Sequence, residues 1–286
     1  MRKIAVLVTC FNRVGKTLGC FRALVAQKGL GERFELEVFL VDDASPDGTA
    51  SRVRGEFGDC PKMRVNVIDG YGNLFWCKGM RLAWDRAVES EKATGRNYDF
   101  FMWLNDDVHL KNDAIENVLD DYERTKGVVV GTFAADDTYS EVCYSAKRFD
   151  GFRPVPDGRE CVKIERGYLN GNLLLVPHDI YEKVGPIYGG YSHGFGDYDY
   201  GMMLTRAGLG FWSSSHYCGW CECETSRVRD MRGATLRERL SLLRNPRGRP
   251  LRDTFIYRYR HWGLLRAIVS SAHVIWMALF SKTAFR

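Results

Sequence analysis

Three acidic clusters stand out as the residues able to do chemistry. They are Val41-Asp42-Asp43-Ala44-Ser45, Leu104-Asn105-Asp106-Asp107-Val108 and Gly196-Asp197-Tyr198-Asp199-Tyr200-Gly201. A carboxylate buried without a partner costs several kcal/mol, so such clusters persist where they are solvated, paired or used. The first two each follow an apolar run of strand character. A carboxylate at such a strand end can accept bonds from a nucleobase N–H or a ribose hydroxyl. A hard divalent cation takes oxygen ligands and keeps water and phosphate oxygens as the others, which suits Mg²⁺ or Mn²⁺ bridging a diphosphate. The three clusters together suggest one cleft for a metal and a charged ligand. Plainer readings stand beside these. Asp42 and Asp43, followed by Ser45-Pro46-Asp47-Gly48, also suit a strand–turn–helix corner with capping side chains. Residues 104–108 also suit a polar turn.

Two other stretches invite comparison with known site chemistry. In Asn73-Leu74-Phe75-Trp76-Cys77-Lys78-Gly79-Met80-Arg81, a glycine and two bases open a helix. A helix N-terminus attracts anions, and Lys78 and Gly79 are the anion-binding candidates. Core aromatics with solvated bases explain the stretch equally well. His216 precedes Cys218, Cys221 and Cys223 in a zinc-like cluster. Four ligands within eight residues are cramped, because structural zinc sites draw on separated pairs. Alternation along a strand instead makes Cys221 and Cys223 ordinary buried thiols on one face. His216 remains a candidate ligand of a catalytic metal. No phosphate-loop pattern, no dinucleotide glycine fingerprint and no Gly-x-Ser-x-Gly elbow occurs.

The elements that must carry these residues follow from hydrophobic periodicity. Short apolar runs at 4–9, 36–41, 63–68, 100–104 and 127–132 predict strands. Helical spacing at 17–27, 49–57, 79–91 and 112–125 predicts helices between them. Alternation of this kind means βαβ units and a mainly parallel sheet flanked by helices. Such sheets bind ligands beyond the C-terminal ends of their strands, where Asp42/Asp43 and Asn105–Asp107 fall. Beyond residue 132 the pattern loosens: strands are predicted at 162–165 and 173–176, and helices at 178–184 and 200–207. No strand signal appears from residue 222 onward.

The chain has 286 residues, 45% of them hydrophobic, enough for a substantial core. Its net charge of +5 is concentrated near the C-terminus. Twelve arginines lie between Arg227 and Arg266, against Asp230, Glu238 and Asp253. Nine cysteines at irregular spacing predict reduced thiols in a cytosolic setting, and the N-terminal apolar run is too short for a signal peptide. Residues 267–280 are apolar for about fourteen positions, short of the roughly twenty that a span needs. With Arg266 before them and Lys282 and Arg286 after, they suit a helix lying in a membrane interface, attracted to anionic lipid. A C-terminal helix docked on the domain is the alternative. Regularly interleaved aromatics are lacking, which argues against nucleic-acid binding.

Taken in order, Val8-Thr9-Cys10-Phe11-Asn12-Arg13, Val41–Ser45, Leu104–Asp107, Leu169-Asn170-Gly171-Asn172 and Gly196–Gly201 resemble family-two glycosyltransferases of the GT-A type. The resemblance covers about residues 3–225 and implies a Rossmann-like GT-A domain over 1–225. A basic, partly apolar helical region at 226–286 would associate with membrane. It implies metal-dependent, inverting transfer of a sugar from a UDP- or dTDP-sugar to a hydroxyl of a lipid-linked glycan. Such hexosyl transfer, of the rhamnosyl- or galactosyltransferase kind, builds bacterial surface polysaccharide at the cytoplasmic membrane face. Carried over by position, Thr9, Phe11 and Arg13 would border the nucleobase, while Asp42 and Asp43 would hold base and ribose. Asn105, Asp106 and Asp107 stand where the family has Asp-x-Asp, with Asp107 the implied Mg²⁺ or Mn²⁺ ligand. Asp197 would be the catalytic base. Asn170, Asn172 and His193 would line the sugar and acceptor pocket, with Asp199 nearby. The rival expectations are a sugar nucleotidyltransferase, which wants a glycine-rich basic loop after the first strand, and a non-catalytic adaptor, which has no need of Asp197.

Overall fold

The computed structural model describes residues 1–158, 160–223 and 234–281. Its first half follows the periodicity of the sequence. Strands β1 (Arg2–Cys10), β2 (Phe34–Asp42), β3 (Met63–Asp69) and β4 (Phe100–Leu104) pair in parallel in the order β3-β2-β1-β4. Helices α1 (Val14–Val25), α2 (Thr49–Phe57) and α3 (Phe75–Thr94) make the connections. Alternation along β1 sorts the core into two layers. Ile4, Val6 and Val8 pack on one face with Leu18, Phe21 and Val53, while Ala5 and Leu7 pack on the other with Met80 and Trp84. Strands buried on both faces need such near-continuous apolar runs.

The second half is less regular. It contains β5 (His109–Leu110), α4 (Ala114–Thr125), β6 (Val128–Ala134), β7 (Val142–Tyr144), β8 (Lys147–Arg148), β9 (Lys163–Ile164) and β10 (Gly167–Tyr168). After these come β11 (Leu173–Pro177), α5 (His178–Val184), α6 (Gly196–Arg206), β12 (Phe211–Trp220), α7 (Leu236–Ser241) and α8 (Leu251–Phe280). The main sheet continues as β4-β11-β6-β12-β5, with β11 reversed between β4 and β6. Strand β12 escapes the hydrophobic pattern because serines fill its centre. Ser213, Ser214 and Ser215 are buried there. The Ser214 hydroxyl accepts from the Thr132 amide at 2.9 Å, and the Ser215 amide donates to Asp121 at 2.8 Å.

The tail departs from the expected separate region. Helix α8 breaks at Gly263, whose φ of 82° lies in the left-handed range, and Asp253, Tyr257 and His261 before the break are buried. Its first turns pack on the loop and helix that follow α5, so they are continuous with the domain. The arginines at 227, 229 and 232, and Lys282 and Arg286, lie outside the described residues. The thiol expectation also needs correction, since Cys143 is disulfide-bonded to Cys223. That bond ties β7 to the stretch just after β12. Cys221 is a buried free thiol, but Cys223 is not.

Candidate active site

The first corner lies where β1 and β2 end. Asp42 and Asp43 are 3% and 5% exposed, and all four of their carboxylate oxygens already accept bonds from the protein. Asp42 takes the amides of Ser45 at 3.1 Å and Ala50 at 3.0 Å, together with the Ser45 hydroxyl. Asp43 takes the amides of Gly72, Leu74 and Phe75 at 2.8, 2.8 and 3.0 Å. Both side chains therefore build the corner, and contact with a base or ribose would use their remaining lone pairs. The same bonds correct the expectation at Lys78 and Gly79. Helix α3 starts at Phe75, and the carboxylate at its N-terminus is Asp43 itself. Gly79 is buried one turn inside, where a Cβ would lie 2.3 Å from the Thr9 hydroxyl oxygen. Its role is to let α3 approach β1, and Lys78 is half-buried on that first turn. Thr9 is buried there, and Phe11 is 40% exposed at the rim.

The second corner follows β4. Asp106 is fully buried and Asp107 is partly exposed. Arg13, the residue before α1, bridges them, with Nη1 2.6 Å from Asp107 Oδ2 and Nη2 2.9 Å from Asp106 Oδ1. The second contact is an ion pair off the N–H axis, which leaves Asp106 Oδ1 without an aligned hydrogen bond. Thr17 donates to the other Asp106 oxygen at 2.9 Å. Burial pushes the Asp106 carboxyl up to about 6, against the opposing pull of Arg13. Arg13 was expected beside the nucleobase; its guanidinium instead faces the acidic corner. Asn105 is turned inward, donating to Asn172 Oδ1 at 2.6 Å and accepting from the Trp76 indole N–H at 2.8 Å. Asn172 in turn donates to the Cys221 sulfur at 3.3 Å, and the Asn170 side-chain N–H₂ is buried without a partner among the described residues.

Trp76 joins this corner to the third cluster. Besides its bond to Asn105, the indole lies against Gly171 and Gly196, where added Cβ atoms would come within 2.4 and 3.1 Å of ring carbons. Asp197 follows Gly196 in the first turn of α6, half-buried, with its Oδ1 accepting from the Tyr198 amide at 2.9 Å. The Asn105–Asp107 corner and the start of α6, which carries Asp197, therefore meet on the Trp76 indole. His193 lies on the loop before α6, with its carbonyl 3.3 Å from the buried Cys77 thiol. Burial first, then the charge of Asp197, holds that thiol well above its ordinary range, so Cys77 is inert. Of six non-glycine residues with positive φ among the described residues, four (Asn12, Ala44, Phe75 and Phe195) lie on these three corners. Such conformations concentrate at functional sites.

Two expected site residues are placed elsewhere. Asp199 is fully buried and turned away from the cleft, accepting from Tyr191 at 2.8 Å, Arg260 at 3.0 Å and His261 at 2.6 Å. Burial would raise its pKa, but the bonds from His261 and Arg260 outweigh that and lower it. It is a structural anion. His216 is no partner for Asp107: it lies within β12, several residues before the strand's C-terminal end, with Nδ1 2.8 Å from the Ser215 hydroxyl. Among the described residues no group of three or more His, Cys, Asp and Glu side chains is arranged to hold a metal ion. A site with a single protein carboxylate still fits. Asp107 is partly exposed, and only its Oδ2 is held by Arg13, so one oxygen remains for a cation that takes its other ligands from phosphate and water. The roles of Trp76 and Arg260 had no signal in the sequence beyond an aromatic and a base.

Solved structures of other proteins share this fold. The solved structure of the mannosyltransferase PcManGT from Pyrobaculum calidifontis, in complex with GDP-Man and Mn²⁺, superposes with a TM-score of 0.55 at 15% identity. The match covers 96% of this chain and 76% of that one. TarS from S. aureus, residues 1–349 in complex with UDP, superposes at 0.56 with 12% identity, covering 98% and 73%. GalNAc-T7 with UDP, GalNAc and Mn²⁺ gives 0.54 at 11% identity, covering 77% and 42%. These likenesses establish the GT-A fold. No curated protein matches the sequence. The sequence model of glycosyl transferase family 2 matches residues 5–173, the segment that carries the first two acidic corners and most of the sheet. The match spans more than half the chain, and the chain belongs to glycosyl transferase family 2.

Proposed function

We propose that the protein is an inverting glycosyltransferase. It moves a hexose from a UDP- or dTDP-sugar to a hydroxyl of a lipid-linked glycan, in surface polysaccharide assembly at the cytoplasmic face of the cell membrane. The observation that carries this reading is the meeting of the Asn105–Asp107 corner and the start of α6 on Trp76. Inversion at a sugar carbon needs one carboxylate to take the proton of the acceptor hydroxyl, the role this reading gives to Asp197. Asp107 would hold Mg²⁺ or Mn²⁺, which supplies positive charge to the departing diphosphate. Arg13 adds charge on the same side. The orphan Asn170 N–H₂ suits a sugar hydroxyl, because a buried donor left unpaired costs about 1–3 kcal/mol.

The tail supports the membrane part. Helix α8 is long and apolar enough to cross a membrane by length and composition. Its first turns are buried on the domain, however, so only Leu264 to Phe280 is left, roughly 25 Å at 1.5 Å per residue. That falls short of the ~30 Å hydrocarbon core. At 100° per residue Leu265, Ile268, Val269, Trp276 and Phe280 share one exposed face, while Ala267, Val274 and Ala278 are buried on the other. An interfacial helix has this form.

The rival nucleotidyltransferase wants a glycine-rich, basic loop after β1, but the stretch there offers only Arg13, Gly15 and Lys16, and Arg13 is held by two acids. The test is thermal stability with UDP, dTDP and GDP, each with and without Mn²⁺, followed by transfer from the matching sugar nucleotides. A selective ligand at a hundred times its Kd adds about 2.7 kcal/mol. One nucleotide should stabilise the protein with Mn²⁺, and EDTA should abolish transfer. Full turnover in excess EDTA would remove the metal from the proposal, and stabilisation by no nucleotide would remove the donor.

A further inference from the structure

We infer that the first half of α8 is part of the transfer machinery. Asp253, Arg260 and His261 are positioning residues that hold the loop bearing His193 and Asp197 in its working place. The inference rests on the reading of Asp197 as the base.

Four tethers carry it. The Arg252 guanidinium donates to the Gly190 carbonyl at 2.8 Å. Asp253 is 2% exposed, and its Oδ2 accepts from the amide of Ser192 at 2.8 Å and from its hydroxyl at 2.5 Å. Phe195, in the left-handed conformation that starts α6, stacks on Tyr257 at 4.8 Å between centroids. Arg260 and His261 close on Asp199, two residues beyond Asp197. The Arg260 guanidinium also lies 3.9 Å over the Tyr188 ring. Among the described residues, the side-chain hydrogen bonds from Leu251–His261 to the rest of the domain all end between Gly190 and Met203. Across the loop, the Cys77 amide donates to the Ser192 carbonyl at 3.1 Å, so residues 190–199 are held between α3 and α8. The clamp ends in a built stop. Arg206 donates to the carbonyls of Arg260 and His261 at 2.8 and 3.2 Å, and the helix breaks two residues later at Gly263.

A loop held only by its own backbone would let the base wander. A misplacement of about 1 Å at a reacting group is enough to cost on the order of a hundredfold in rate. The donor corner, built by β1, β2 and β4, has no share in these tethers. Loosening α8 should therefore lower turnover and leave nucleotide binding in place.

The experiment uses the full chain carrying Arg260→Ala, Arg260→Lys or Asp253→Asn. Three quantities are read: Kd for the nucleotide, kcat for transfer, and hydrogen exchange across residues 188–199. Arg260→Ala should lower kcat about tenfold to a hundredfold with nucleotide Kd within twofold, and exchange should rise in 188–199 but not in the sheet. Arg260→Lys, which keeps one charged bond to Asp199, should recover part of both. Unchanged kcat and exchange in a folded Arg260→Ala protein overturns the inference. So does a parallel loss of nucleotide binding and turnover, which marks general structural damage. If the wild-type chain transfers no sugar, the glycosyltransferase reading fails instead, and the exchange arm still decides whether α8 holds the loop.

Discussion

Gly171→Ala tests whether the Trp76 indole sets the width of the cleft. A Cβ at this position would meet Cζ2, Cη2 and Cε2 of the ring at 2.4, 3.0 and 3.3 Å. Ordinary carbon contacts lie at about 3.5–4.0 Å, so the ring must retreat by about 1 Å. Two directions are blocked, because Trp103 lies edge-on at 5.7 Å and Gly196 adjoins Cζ3 of the ring. Overpacking of this kind costs about 1–3 kcal/mol. Retreat also stretches the 2.8 Å bond to Asn105, worth a further 0.5–1.5 kcal/mol, roughly. The expected total is about 1.5–4.5 kcal/mol of stability, read by urea unfolding. A shift of the indole that joins Asn105 to Gly196 should also lower transfer about a hundredfold. In a Trp76→Leu background the obstructing ring is gone, so Gly171→Ala should cost little further stability there, while transfer stays low. A Gly171→Ala protein with wild-type unfolding and wild-type turnover would refute the reasoning outright.

Asp197→Asn should keep nucleotide binding while transfer falls by about 10²–10⁴-fold, the usual share of a general base; near wild-type turnover removes Asp197 from that role. Asp106 gives a pH signature. Its folded pKa of about 6 stands above the ordinary 3.8, so its contribution to stability is present below about pH 4 and lost as pH rises through 6. Asp106→Asn should therefore be more costly at pH 4 than at pH 7, by about 2 kcal/mol in urea unfolding, and a pH-independent difference contradicts the buried-carboxyl account. Replacing Leu265, Ile268 and Trp276 together by Glu should weaken binding to anionic vesicles at least about a hundredfold without changing turnover on a soluble acceptor. Unchanged vesicle sedimentation rules out that face as the docking surface.

The sheet and its acidic corners were legible in the sequence because both are local. A buried strand announces itself by a short apolar run, and a ligand-bearing corner by the polar residues that end it. On that basis β1 to β4 and the edge that carries Asp42 and Asp107 could be read without coordinates, whereas the helix expected at 200–207 starts at Gly196 and takes Asp197 into its first turn. What only the tertiary structure decided depends on partners far along the chain. Asp197 and Asp199 look alike in sequence, yet one borders the cleft and the other is neutralised by Arg260 and His261, more than sixty positions on. The serines that hide β12 from the hydrophobic pattern find their bonds on β6 and α4, and His216 is carried with that strand away from the acidic corner. The arginine-rich tail reads as a single charged segment, but packing divides it at Gly263 into a clamp and an exposed apolar face. Periodicity records which side of an element faces inward. It cannot record what waits there, because burial of a charge is decided by the partner that three-dimensional contact brings.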